Sequence, residues 1–262
     1  MRPSTNVPRW IRFHVALVLI LSLLPIVIVL PVSLNATASM ALPTEGISLR
    51  WYQALFHDAD LMRAFGLSAF IATVSSLLAL AVGIPCAYVI ARRHLNVLDA
   101  ILLSPITFPA IVLGAALLMA FAPLGLVRSV PGLIAAHLVI TLPYVVRTMV
   151  STMHGIDVVL EEAAAMLGAN TLRVYRHILL PISMPGIISS LCFAFIISFD
   201  EFTVSLFLVG TNVMTLPIEM YQRMQFVIDP TIAAASVVLI AIALLCTFAV
   251  DRWVRFERLF QE

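Results

Sequence analysis

Glu161-Glu162-Ala163-Ala164-Ala165-Met166-Leu167-Gly168, followed after nine residues by Ile178-Leu179-Leu180-Pro181, is the stretch that decides how this chain is read. It lies in a charged loop, roughly His154 to Met184, of an otherwise apolar sequence, together with Asp157, Arg173 and Arg176. The loop reads as two short helices. Asp157 suits the N-terminus of the first, where a carboxylate meets free N–H groups. Leu160, Ala164 and Leu167 recur at helical spacing and give that helix one apolar face. Ala163 to Ala165 keep it slim enough for another protein to approach closely. Gly168 suits a left-handed C-terminal cap. Asn170 or Thr171 then starts the second helix, which ends at Pro181, and Pro185 marks the entry to the next apolar run. The whole is a helix–turn–helix knob, a long connection of the kind that carries function.

Around this loop the composition is that of a membrane protein. The chain is 62% hydrophobic and 11% charged, with a mean hydropathy of +1.08, against about 25% charged in soluble domains. Six apolar stretches are long enough to span a bilayer as helices: 13–33, 64–91, 98–121, 130–152, 185–209 and 230–251. Helices are expected because lipid leaves an open backbone unsatisfied, and the short alternating segments of a membrane β-barrel are missing. The expected fold is an all-α membrane protein of six transmembrane helices, a single domain over 1–262 with the loop 154–184 inside it.

All fifteen cations are arginine. A phosphate-binding P-loop needs a lysine, so ATP hydrolysis would have to come from another chain. Arg2, Arg9, Arg12, Arg92, Arg93, Arg147, Arg173, Arg176, Arg252, Arg255 and Arg258 flank one side of the six spans, and only Arg50, Arg63, Arg128 and Arg223 the other. The positive-inside rule makes the richer side cytoplasmic. Both termini and the charged loop then share that side, as an even number of spans requires. The run from Phe13 to Val32 is longer than a signal-peptide core, so the first span is expected to stay uncleaved. Cys86, Cys192 and Cys246 fall inside spans, at spacings that fit neither a metal site nor a disulfide framework.

Outside the bilayer, 34–60 reads as a loop with Trp51 and Tyr52 at the interface. A short helix is expected near 217–226, and Asp229-Pro230 reads as the start of the sixth span. Prolines 25, 85, 105, 109 and 143 sit within spans, and Pro105 with Pro109 predicts a bent third span. His137 and His14 read as isolated, satisfied bundle residues. Asp200 and Glu201 stand apart, because they are the carboxylates deep inside a span, about 22 Å along a helix from Pro185. Intramembrane acids face the bundle interior or a wet cavity and default to function. They read as a substrate path or gate suited to a cation, or else as a structural hydrogen-bonded pair.

The pattern Glu162-Ala163-Ala164, Gly168, Ile178-Leu179-Leu180-Pro181 resembles the EAA loop of type I ABC importer permeases. The resemblance implies that this knob docks into a cleft of an ATP-binding cassette ATPase. Glu162 would be the contact and Gly168 the hinge, with Glu161, Ala163, Ala164, Arg173 and Pro181 completing the coupling element. A second resemblance runs through nearly the whole chain. Ser198-Phe199-Asp200-Glu201-Phe202-Thr203-Val204-Ser205, Thr215-Leu216-Pro217-Ile218-Glu219-Met220-Tyr221 and Arg50-Trp51-Tyr52 are similar to the spermidine/putrescine permease branch. That branch also carries 2-aminoethylphosphonate, 4-aminobutyrate and related small solutes. It implies a bacterial inner-membrane importer with a second, related permease chain, two ATPase subunits and a periplasmic solute-binding protein. No cofactor, metal or nucleic acid is expected, and the chain itself would not be an enzyme. Two rivals explain less. An intramembrane enzyme would need a metal or nucleophile motif, and neither is found. A secondary transporter would leave the EAA loop without a purpose and commonly shows two related halves.

Overall fold

Hydropathy draws six rods. The computed structural model, which describes residues 8–93, 95–226 and 229–258, turns four of them into continuous helices and breaks the other two. The continuous ones are α1 (Arg9–Ser33), α3 (Ala59–Arg93), α6 (Val130–His154) and α13 (Thr231–Arg258). Before α3 comes the short α2 (Arg50–His57). The third apolar stretch divides into α4 (Asn96–Thr107) and α5 (Ala110–Phe121), which meet at 104°. Pro109 accounts for the place of the break. It holds Phe108 extended, at φ −85° and ψ 142°, and starts α5 where a missing N–H costs nothing. Pro105, by contrast, stays inside α4.

After α6 the charged loop forms α7 (Val159–Met166) and a second helix in three pieces: α8 (Thr171–Val174), a π-helical turn (Tyr175–Leu179) and α9 (Leu180–Ile182). The π turn widens the repeat, so Val174 and Leu179, five residues apart, are both buried. A 71° bend at Ser183 then starts α10 (Met184–Phe199). The fifth stretch is not continuous either. Residues 200–202 leave the helix before α11 (Thr203–Leu208), and α12 (Leu216–Phe226) follows within one residue of the expected start. Asp229 caps the last helix as expected, its Oδ1 accepting from Thr231 N at 2.9 Å.

Two compact units result. One comprises Met1–Met62 and Met220–Ile242. Its organising residue is Asn35, which is buried. The Asn35 side chain donates to the Ser39 and Ala41 carbonyls and accepts from Thr37, while its carbonyl accepts from the Trp51 indole at 2.8 Å. Arg223 adds a two-pronged bridge to Asp58, at 2.6 and 3.0 Å, and approaches Asp229 at 3.7 Å.

The second unit, Arg63–Glu219 with Ala243–Glu262, holds the knob and the acidic residues. Its core clusters where α3, α6 and α10 meet, around Ala79, Val145, Met149, Met153 and Ala194. Small residues let the helices close up. A Cβ on Gly186 of α10 would collide with the Thr152 side chain of α6, meeting its Cγ2 at 2.7 Å and Cβ at 2.9 Å.

Candidate functional site

The knob is built by local chemistry. Asp157 Oδ1 accepts from Val159 N at 3.0 Å and opens α7. Gly168, at φ +83°, closes it with a paired bond pattern: Ala169 N donates to Ala164 O at 3.0 Å and Gly168 N to Ala165 O at 2.9 Å. This is the Schellman arrangement, and its left-handed residue is the reason for glycine there. Asn170, rather than Thr171, caps the next helix, accepting from Arg173 N at 2.9 Å. The second helix reaches Ile182, one residue past Pro181.

The expected apolar face is distributed differently from its periodicity. Ala164 packs against the core, while Leu160 is exposed and Leu167 is 89% exposed. Met166 at 87% and Leu172 at 72% extend this bare apolar tip. The helix is too short, and Gly168 turns the chain too sharply, for all three positions of that stripe to reach the core.

The two adjacent glutamates point apart. Glu162, Ala163, Arg173 and Pro181 are exposed. Glu161 turns inward, where Arg92 Nε donates to its Oε1 at 2.6 Å and the Tyr88 hydroxyl to its Oε2 at 3.0 Å. Arg92 also donates to the Met153 carbonyl at 3.0 Å and the Ile156 carbonyl at 3.2 Å. Tyr175 in the π turn stands edge-on to Tyr88, with ring centres 5.9 Å apart. Burial raises the Tyr175 hydroxyl above its ordinary pKa. Arg92 and Tyr88 carry no motif, so only their place at the end of a span hinted at a role.

Asp200 and Glu201 are not inside a continuous helix, which corrects the expectation for them. They occupy the break between α10 and α11. A carboxylate buried against an unbroken helix would find every nearby N–H already used. The break frees N–H groups, and Glu201 Oε1 accepts from Val204 N at 2.8 Å to start α11. The two acids also separate. Asp200 is exposed, whereas Glu201 is half-buried and lines a cavity of about 170 Å³ with Phe108, Tyr144, Ile140 and Val204. The last turn of α4, through Pro105 and Ile106, forms another wall, and no basic side chain is among the lining residues. That cavity therefore collects a carboxylate and two aromatic residues, while the C-terminal turn of α4 and the N-terminal turn of α5, through Ala110 and Leu113, both open on it, so their dipoles oppose.

Behind the break lies a polar knot. His137 of α6 is 2% exposed, its Nδ1 is 2.7 Å from Ser198 Oγ and its Nε2 is 3.0 Å from Ser205 Oγ. Ser198 is also 3.0 Å from Ser75 of α3. His137 is thus the satisfied bundle residue expected, and it ties both sides of the break to α6. That serines 75, 198 and 205 bond across helices was not readable in sequence, since hydroxyls in spans commonly bond to their own helix.

Comparison with known proteins identifies this architecture. The family described as the binding-protein-dependent transport system inner membrane component matches residues 79–256. The spermidine/putrescine transport system permease protein PotC of Escherichia coli K12 is 29% identical over 229 residues, covering 86% of each chain. The molybdenum transport system permease protein ModB of Mycobacterium bovis is 30% identical over 273 aligned positions, covering 95% of this chain and 96% of that one. Among solved structures, a bacterial ABC transporter involved in import of the acidic polysaccharide alginate has a chain with TM-score 0.73 at 18% identity, covering 92% of this chain and 94% of that one. With the family model spanning more than half its length, the chain belongs to the inner-membrane components of binding-protein-dependent transport systems, and is a permease subunit of an ABC importer rather than an enzyme.

Proposed function

We propose that this permease carries a small organic cation, of the polyamine class, inward past Glu201. The observation that carries the substrate class is the cavity at the helix break. It offers a carboxylate and the aromatic side chains of Tyr144 and Phe108 to one ligand, with no basic residue among its lining. An ammonium group gains from the carboxylate and from the rings. The same features repel an anion such as molybdate, although one relative bears a molybdenum transport name. The polyamine name of PotC agrees with the chemistry of the cavity.

The knob supplies the drive in this reading. Glu162 and the bare apolar tip of Met166, Leu167 and Leu172 enter a cleft of the ATPase, and Gly168 sets the angle of that contact. Positive-inside asymmetry puts the knob and both termini in the cytoplasm. A second permease, a related but different chain, completes the pathway, and a binding protein delivers solute outside. Glu161, Ala163, Ala164, Arg173 and Pro181 complete the coupling element, Glu161 and Ala164 on its inner side and Ala163, Arg173 and Pro181 exposed.

The test is uptake by the assembled importer in proteoliposomes, with labelled spermidine, putrescine and molybdate offered separately. ATP-dependent accumulation of a polyamine is expected. Uptake of molybdate without polyamine would overturn the substrate class while leaving the family intact.

A further inference from the structure

We propose that Arg92 is the positioning residue that fixes the knob to the spans, so that force on α7 reaches α3 and α6 together. The inference rests on the reading of the knob as the ATPase contact. Its basis is the number of elements that meet on one guanidinium. Arg92 sits in the last turn of α3. Its Nε grips Glu161 of α7 at 2.6 Å, and its two terminal nitrogens reach Met153 O and Ile156 O at the end of α6. Met153 O lies in the last turn of α6 and Ile156 O two residues beyond its end, so the guanidinium ties down the exit of that helix. Tyr88, one turn back on α3, takes the second oxygen of Glu161 at 3.0 Å. Both carboxylate oxygens and three guanidinium nitrogens are therefore occupied.

The surroundings make the joint stiff. Arg92 and Glu161 side chains are each only 13% exposed, so water does not readily replace either partner. Arginine can hold three acceptors in one plane, and a lysine in its place would supply a single point of attachment. Tyr175 braces Tyr88 from the second helix of the knob. Beyond Glu161 the first helix is bare, with Ala163, Ala165, Met166 and Leu167 exposed. A pull on that tip meets the spans at the Arg92 joint and at the small apolar contacts of Ala164 and Ala169.

On this proposal, docking of the solute-binding protein outside reaches the ATPase through the same joint. The experiment is ATP hydrolysis by the assembled importer in nanodiscs, with and without its own solute-binding protein. Arg92→Ala should keep the ATPase bound and basal hydrolysis present. The stimulation by binding protein should fall about tenfold, the scale of coupling between residues of one network. Adding Glu161→Gln to Arg92→Ala should cause little further loss. Wild-type stimulation in an assembled Arg92→Ala importer would overturn the proposal. Should Arg92→Ala fail to assemble, Glu161→Gln and Tyr88→Phe decide, since each keeps its side-chain volume: loss of stimulation supports the joint, and normal stimulation in both refutes it. Leu167→Asp separates the underlying reading. It should release the ATPase, and an ATPase that stays bound to Leu167→Asp would sink the knob contact instead.

Discussion

Glu201 makes two separable contributions, and two substitutions tell them apart. Its Oε1 accepts from Val204 N at 2.8 Å, while its charge faces the cavity beside Tyr144. Glu201→Gln keeps an oxygen for the cap and nearly the same volume, and removes only the charge. Glu201→Ala removes both. A carboxylate and an ammonium about 4 Å apart attract by about 4 kcal/mol at an effective dielectric near 20. Desolvation offsets part of this, and hydrogen bonds to charged groups net about 1.5–3 kcal/mol. Glu201→Gln should therefore raise the KM for spermidine uptake by about ten- to a hundredfold. Its thermal midpoint in detergent should stay at the wild-type value. Losing the cap costs about 1 kcal/mol, so Glu201→Ala should add a fall of about 2–4 °C in Tm. The assay is initial-rate uptake into proteoliposomes across a spermidine series, with Tm measured on the same preparations. An unchanged KM in Glu201→Gln would refute the charge argument. Asp200, exposed and outside the cavity lining, should tolerate Asp200→Asn with a much smaller rise in KM.

Three further outcomes follow from other parts of the molecule. Gly168→Pro cannot adopt φ +83° and should abolish uptake while the protein still reaches the membrane, as should Glu162→Ala by loss of the ATPase contact; normal transport by both would remove the knob from the mechanism. Gly186→Ala drives a methyl into Thr152 and should cost about 1–3 kcal/mol, read as a lower Tm that Thr152→Ala partly restores; an unchanged Tm would show that α6 and α10 are not in close contact there. At the α2–α3 junction, the hydrogen bond from Arg223 holds the Asp58 carboxyl below its ordinary value of 3.8. That contribution to stability is complete above pH 3.8 and is lost as pH falls through the lower, folded-state value. Asp58→Asn should accordingly flatten the acid limb of a Tm–pH curve, and an identical acid limb would refute the bridge.

Local rules made much of the knob readable in advance. Asp157, Gly168 and Asn170 each act within three residues of themselves, and sequence spacing carries that range of information. Glu161 and Glu162 defeated the same reading. Neighbours on a helix differ by about 100° in direction, and which of them turns inward depends on Arg92, far away in the chain. A signal was present, since Glu161 precedes the core-facing Ala164 by three residues and so shares its face. Periodicity pointed instead to Leu160 and Leu167, because an apolar stripe looks the same whether its own core or a partner covers it. The third-span bend was legible in Pro109. The break at 200–202 was not, since it contains no proline or glycine and hydropathy registers only the apolar residues on either side. Two contributions meet there: Ser198 and Ser205 reach across to His137, which is tertiary, and Glu201 locally caps the helix that resumes, although glutamate is not among the usual capping residues.

The two candidate sites lie at opposite ends of one helix pair. α10 packs along α6, and the pair is fastened at both ends. At the knob end Gly186 seats against Thr152, one residue from the Met153 carbonyl that Arg92 grips. At the far end His137 bonds Ser198, two residues before Asp200. Thr152 and His137 are fifteen residues apart on α6, about 22 Å at helical rise. On the proposed coupling, a helix pair pinned at such separation is the element that would carry displacement from the knob end to the acidic break. Pure softness in the spans would dissipate the same displacement before it reached Glu201. The buried histidine then has a mechanical reason to sit where it does. An apolar residue would fill the space, but only a side chain with two hydrogen-bonding ends can hold Ser198 on one side of the break and Ser205 on the other, and so fix the geometry of the segment that carries Glu201.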